Sequence, residues 1–272
     1  MTMNLPSVWL QDLIWEDVEI YLKESNIILC PVGSTEQHGP AGPLGLDAWV
    51  AIALAEDAAK AAGVLCAPPL WFGDSSHHMG FSGTISLRTE TLMAVIQDMG
   101  RSLAKHGFRK ILFINGHKAA NLPALQSATK NLREFEMPGV FFAIIDPMKM
   151  GKKIANEIKE APEHHCGELE IAQCWYKFPQ LIRAERLTTG QVAFAETLSP
   201  WFQEDLFSAT HEVIDIPWTS AEQRTFAPTG SFTPSAKASP EKGRRYHEYM
   251  VEQIVAFINW LRTYEGPIGK GL

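Results

Sequence analysis

Four short stretches of nearly unbroken apolar sequence set the frame for this chain: 27–32 (IILCPV), 64–68 (VLCAP), 110–114 (KILFI) and 140–146 (VFFAIID). A strand with one wet face alternates apolar and polar residues, whereas a strand covered on both faces reads as a continuous apolar run. A fifth, weaker run lies at 213–216. Helical patterns fall between them. Residues 47–62 are Ala-rich, with Trp49, Ile52, Leu54 and Ala55 on one stripe. Residues 89–106 place Leu92, Val95, Ile96, Met99 and Leu103 at helical spacing, and 121–135 do the same with Leu122, Leu125, Ala128 and Leu132. A last helix is expected over 241–264, carrying Tyr246, Met250, Ile254, Phe257, Ile258 and Leu261. Strands alternating with helices imply right-handed crossovers and an α/β fold with a mainly parallel sheet. Residues 190–240, with scattered Pro, Trp and Ser, read as an irregular excursion packed on one domain spanning 1–272.

The balance of the 272 residues is that of an ordinary globular protein, 46% hydrophobic and 20% charged. A net charge of -7 gives no electrostatic grip on phosphate backbones, so no nucleic-acid partner is expected. The apolar runs are too short to span a bilayer, and the N-terminal MTMNLPSVWLQDL has no signal-peptide pattern. No membrane partner is expected, and the cytoplasm is the expected compartment. Cys30, Cys66, Cys166 and Cys174 form no CxxC pair, and Cys30 and Cys66 read as small core residues.

In parallel sheets, ligands gather at the carboxyl ends of the strands. Three such places hold unusual polar residues. After the first strand comes Gly33-Ser34-Thr35-Glu36-Gln37-His38-Gly39-Pro40, followed by Asp47. Glu36 and His38 are two apart, so an extended backbone points both the same way. Asp47 opens the next helix, where it serves either as a cap or as a third ligand beside them. Asn115-Gly116-His117 follows the strand at 110–114, and the glycine permits a sharp turn that leaves His117 at the sheet edge. The segment 75–86 (SSHHMGFSGTIS) reads as a shaped loop lining a pocket. His78 and Ser82 from it, and Trp175 further on, are the substrate-contact candidates. A further cluster, Glu163-His164-His165-Cys166-Gly167-Glu168-Leu169-Glu170, opens a helix. Its acids suit the helix dipole, and the alternative is that Glu168 binds metal and His165 carries protons.

GSTEQHGP, Asp47, GFSGTISL, FINGHKAAN and HCGELE, in this order over roughly 27–172, resemble the creatininase (creatinine amidohydrolase) family. The resemblance implies a three-layer α/β/α fold, a binuclear metal centre and a homo-oligomer, often a hexamer. It places the metal ligands on Glu36, His38, Asp47, His117 and Glu168, and the neighbouring functional histidine on His165. The chain departs from the family pattern in several places. Ala41 stands where a His is common, and Ile171-Ala172 replace a Thr-Ser pair. NGHKAAN replaces NGHGGN, and Ala119 stands where creatininases place an acidic ligand, which leaves the second carboxylate to Glu168.

The activity implied by the resemblance is that of a metal-dependent hydrolase opening a small, polar cyclic substrate, a cyclic amide or related ring. Two divalent ions (Zn, Mn or Fe) bring four positive charges against three carboxylates and a hydroxide, with both imidazoles neutral. Asp47 is expected to bridge, with Glu36 and His117 on one side and His38 and Glu168 on the other. The metal-bound hydroxide would attack a carbonyl. The alternatives are carbon–carbon ring opening of a diketo-inositol (3-dehydro-scyllo-inosose type) in inositol catabolism, a mononuclear site, and a non-catalytic binding or assembly module.

Overall fold

The computed structural model describes residues 5–190, 201, 205–207 and 217–264. Four strands, β1 (Ile27–Val32), β2 (Leu65–Cys66), β3 (Lys110–Asn115) and β4 (Phe141–Ile145), form one parallel sheet in the order β2-β1-β3-β4. The helices are α1 (Trp15–Glu24), α2 (Leu46–Ala62), α3 (Thr89–Lys105), α4 (Lys118–Asn131), α5 (Pro147–Met150), α6 (Lys152–Ile158), α7 (Glu168–Lys177), α8 (Ser220–Phe226) and α9 (Pro240–Thr263).

The period-two alternation of strand side chains divides the core into two layers. Ile27 and Leu29 of β1, with Leu112 and Ile114 of β3, pack beneath α2, α7 and α9. Ile28, Cys30 and Val32, with Ile111 and Phe113, pack against α1, α3 and α4. All six residues of β1 are buried, which is why its sequence carries no polar alternation. Each large aliphatic side chain taken from water contributes about 1.5–3 kcal/mol, so the two covered faces are the main source of stability. The expected three-layer α/β/α arrangement is therefore what forms. All four cysteines are buried free thiols.

Several expectations need correction. The strand expected over 64–68 pairs only at Leu65–Cys66, because Pro68 and Pro69 lack the N–H a ladder needs. The run at 213–216 lies outside the described residues. The helix expected from 121 starts at Lys118, directly after His117, and ends in a π turn at Leu132–Glu136. Four helices are absent from the sequence reading. Two are the short α5 and α6. A third is α1, whose exposed Trp15 and Ile20 blur its amphipathic pattern. The fourth is α8, inside the stretch read as irregular.

The chain leaves β1 toward β2 and leaves β3 toward β4, in opposite directions across the sheet. The carboxyl ends of β1 and β3 therefore border a crevice, the usual ligand position in open α/β sheets.

Candidate metal centre

Two glycines close that crevice onto the start of α2. A Cβ on Gly33 would lie 2.2 Å from Ala48 Cα, and one on Gly116 would lie 2.1 Å from the Asp47 carbonyl oxygen. Only glycine lets both strand ends press on the same helical turn. Asp47 is thereby delivered between the segments leaving β1 and β3. Gly45 is the N-cap of α2 and no side chain caps it, so the Asp47 carboxylate is not a cap.

That carboxylate instead meets two imidazoles, one on each oxygen. Oδ1 is 3.2 Å from His38 Nε2, and Oδ2 is 3.1 Å from His117 Nδ1. Glu36 Oε2 is 3.0 Å from His117 Nε2, while its Oε1 is 3.2 Å from His78 Nε2 and 3.6 Å from His165 Nδ1. Glu170 brings Oε2 to 3.8 Å from His38 Nε2. Among the described residues, three sets hold donor atoms within 4.8 Å of one another: Glu36/Asp47/His117, His38/Asp47/Glu170 and Glu36/His38/His165.

Burying three carboxylates here is costly unless positive charge accompanies them. Without cations, protons supply it. Burial works against a charged His38, yet Asp47, Glu170 and Glu36 outweigh it and push its pKa up to about 9. His117 is likewise pushed up to about 10, burial being overcome by Glu36 and Asp47. Burial alone would raise Asp47, but His38 and His117 hold it well below the usual carboxylate range. Around this pair, burial and neighbouring imidazoles push His78 and His165 down, His77 to about 3. Even so, Glu36 Oε1, His38 Nε2 and Asp47 Oδ2 are buried without a hydrogen bond of good geometry. Converging, unsatisfied carboxylate and imidazole atoms are the donor set that divalent Zn, Mn or Fe accepts.

Glu36, His38, Asp47 and His117 thus come together as the sequence predicted, with His165 beside them. Glu168 does not join them. It accepts the Glu160 N–H at 2.9 Å and pairs with Lys242 of α9. Glu168 and Glu170 are two residues apart on α7, so they lie about 200° apart around the helix. One of them faces the centre, and it is Glu170. Its Oε2 accepts the Cys166 N–H at 2.6 Å, and its Oε1 lies 2.6 Å from Lys118 Nζ. Cys166 reaches it through a left-handed backbone, φ 58°. Glu163 caps α7 by accepting the Leu169 and Glu170 N–H groups at 2.9 and 3.0 Å. Burial pushes its carboxyl up to about 7 against the pull of Lys118.

The centre opens into a cavity of about 150 Å³ walled by His77, Ala119, Leu206, Trp218, Gln223 and Phe232. His78 lines it, as expected. Ser82 is exposed and lies outside the lining, and Trp175 is half-buried against the α2/α9 core, so neither faces the cavity. Gln223 and Trp218 escape the sequence reading because α8 does. The sequence signal is present: Thr219-x-x-Glu222 is a capping box, with Thr219 N–H to Glu222 Oε2 at 2.9 Å and Glu222 N–H to Thr219 Oγ1 at 3.2 Å.

The profile of the family described as creatininase, creatinine amidohydrolase, matches residues 11–258. The chain belongs to the creatininase family. A 3-dehydro-scyllo-inosose hydrolase of Thermotoga maritima is 29% identical over 185 residues, 65% of this chain and 58% of that protein. A mycofactocin precursor peptide peptidase of Mycobacterium ulcerans is 29% identical over 251 residues, 89% of this chain and 87% of the peptidase. Among solved structures, a mutant creatininase of Zn-Zn type superposes with a TM-score of 0.76 at 24% identity, covering 96% of this chain and all of that one. At that identity the superposition supports the fold. Within the creatininase-family pattern, Ala119 leaves an acidic position empty, and in this chain the carboxylate beside His38 is that of Glu170.

Proposed function

We propose that this creatininase-family chain is a two-cation hydrolase acting on a carbonyl of a small substrate. The single observation that carries the reading is Asp47, whose two oxygens face different imidazoles and so are set to bridge. Glu36, Asp47 and His117 would hold one divalent ion, and His38, Asp47 and Glu170 the other. When bound, such ions lower the pKa of a water toward roughly 7 and polarise a carbonyl.

The remaining work falls to the chain. Lys118 and the Cys166 N–H hold Glu170 in place. Ser34 donates to Glu36 Oε2 at 3.2 Å, fixing that carboxylate. His165 Nε2 donates to the Gln37 carbonyl at 2.8 Å, which leaves Nδ1 toward the centre as the atom to take a proton and return it to the leaving group. The apolar wall of Trp218, Phe232 and Leu206 limits water around the reacting carbon.

The cavity volume favours a small ring over a long peptide. Ring opening at a C–N bond is the first reading. The inosose hydrolase among the relatives supports carbon–carbon cleavage of a diketo-inositol as the second. A homo-oligomer and a cytoplasmic setting are part of the same proposal. Among the described residues, no helix is long and apolar enough to cross a membrane.

The test is elemental analysis of metal-replete protein beside a substrate screen covering creatinine, small lactams and diketo-inositols. About two ions per chain and turnover of one class support the reading. No bound ion would reduce the chain to a binding or assembly module, and one ion would make the site mononuclear.

A further inference from the structure

Gln223 is fully buried, lines the cavity, and has an Oε1 with no hydrogen-bond partner among the described residues. Leaving a buried amide oxygen unmatched costs about 1–3 kcal/mol. The neighbours of this amide decide which of its ends is free. The Gly39 N–H donates to Gln37 Oε1 at 2.9 Å, so Gln37 Nε2 is the donor end. That Nε2 gives one hydrogen to the Gly230 carbonyl at 3.0 Å. His165 Nε2 already carries the proton it donates to the Gln37 carbonyl, so the second Gln37 hydrogen goes to His78 Nδ1 at 3.0 Å. His78 Nδ1 is then an acceptor. An amide oxygen would be repelled by that lone pair, so Gln223 turns its own Nε2 toward the same nitrogen, at 2.8 Å, sharing it with Gln37, and leaves Oε1 unused.

The placement of Gln223 is firm. The Thr219–Glu222 box fixes the start of α8. Gly80 abuts it so closely that a Cβ there would lie 2.6 Å from the Ser220 carbonyl, and Arg224 stacks over Phe81 at 4.6 Å. The rest of the lining narrows what reaches Oε1. Lys118, the one lysine or arginine among the described lining residues, is committed to Glu170, and the side chains of Phe232 and Leu206 carry no donor.

We propose that Gln223 is a specificity-determining residue whose Oε1 accepts a hydrogen bond from the substrate. The site then selects a neutral carbonyl compound that carries an N–H or O–H, in preference to one of the same shape without it. This deepens the two-cation hydrolase reading, on which only the carbonyl end of the substrate depends.

The test compares 2-pyrrolidinone with cyclopentanone, a ring ketone of matching size that lacks the N–H. Dissociation constants are measured by ligand-observed NMR on the full chain, both metal-loaded and chelated, for the native sequence and for Gln223→Met. The native protein is expected to bind the lactam about three- to tenfold tighter than the ketone, the scale of one neutral hydrogen bond. Gln223→Met should remove that preference, so that lactam and ketone bind alike, while Gln37 still holds His78. Gln223→Glu, which keeps an acceptor, should retain the preference. An undiminished preference in Gln223→Met, or no binding of either probe to native protein, overturns the proposal. Should Gln223→Met fail to fold, a crystal structure of the native 2-pyrrolidinone complex decides: the lactam nitrogen within about 3.2 Å of Oε1 supports the assignment, and the nitrogen elsewhere defeats it. Failure of the hydrolase reading would look different, as protein that takes up no metal yet keeps the lactam preference in its chelated form.

Discussion

Helix α2 carries two aspartates that each meet an imidazole, and the surroundings of the two are opposite in kind. Asp57 accepts from His247 Nε2 at 2.9 Å and from Lys177 Nζ at 2.5 Å, and Gln173 contacts the other ring nitrogen of His247 at 3.1 Å. Every ring nitrogen there is engaged, and the cluster ties α2, α7 and α9 together. Asp47, ten residues earlier, lies 3.1–3.2 Å from two imidazole nitrogens, and its Oδ2, His38 Nε2 and Glu36 Oε1 remain unsatisfied. A closed polar network holds a fold together. An open one of the same residue types leaves donor atoms that could hold a cation.

Substituting the two aspartates is the strongest way to break the contrast. Asp47→Ala should lose both ions and bring hydrolysis below detection, read by elemental analysis and by assay. Bound metal with full turnover in that variant would end the two-cation reading.

The pair on α7 sharpens it next. Glu170→Gln is expected to drop metal content toward one ion per chain and, because it also weakens the buried pair with Lys118, to destabilise by about 1–3 kcal/mol. Glu168→Gln should keep the metal but destabilise by about 1–3 kcal/mol, because it weakens a buried pair with Lys242. If Glu168→Gln is the variant that loses metal, the assignment of Glu170 is wrong.

Protonation gives a smaller effect with a definite sign. In chelated protein, His38 and His117 have pKa values of about 9 and about 10, above the ordinary value near 6.5. Their stabilisation is complete below about pH 6.5 and is lost as pH rises through 9 and 10. Thermal melts of chelated protein should therefore fall over that window. Metal uptake at pH 7–8 should release protons, detectable by calorimetry in buffers of differing ionisation enthalpy. A flat melting profile together with no proton release would contradict the charge balance described for the centre.

The smallest effect belongs to the closed cluster. Asp57→Asn should cost about 1 kcal/mol, the group being partly exposed, and leave metal content unchanged. Burial works against the Asp57 charge, but His247 and Lys177 hold its pKa at about 2. Its contribution is present above about pH 4 and fades as pH falls toward 2. An acid melt of the native protein and the variant should converge there.

Legibility in the sequence divides along the same line. The strand runs, the EQH segment, Asp47 and His117 are legible because they are local: a strand end, a turn glycine and a helix start fix where each side chain goes. Glu170 is not, because choosing between two acids on one helix needs the phase of α7, which Glu163 and Cys166 set from outside it. Gln223 is harder still. Its role depends on a contact with His78, well over a hundred positions away, on a helix that only its capping box announces.

The two glycines that clamp the strand ends onto α2 carry a practical consequence. Neither position has room for so much as a methyl group, so the cation cradle behaves as one keyed block that tolerates no side-chain growth at Gly33 or Gly116. The wall opposite, around 217–232, faces the cavity with Trp218, Gln223 and Phe232. A library that diversifies this wall can redirect which molecule is accepted, while one that varies either glycine forfeits the reaction.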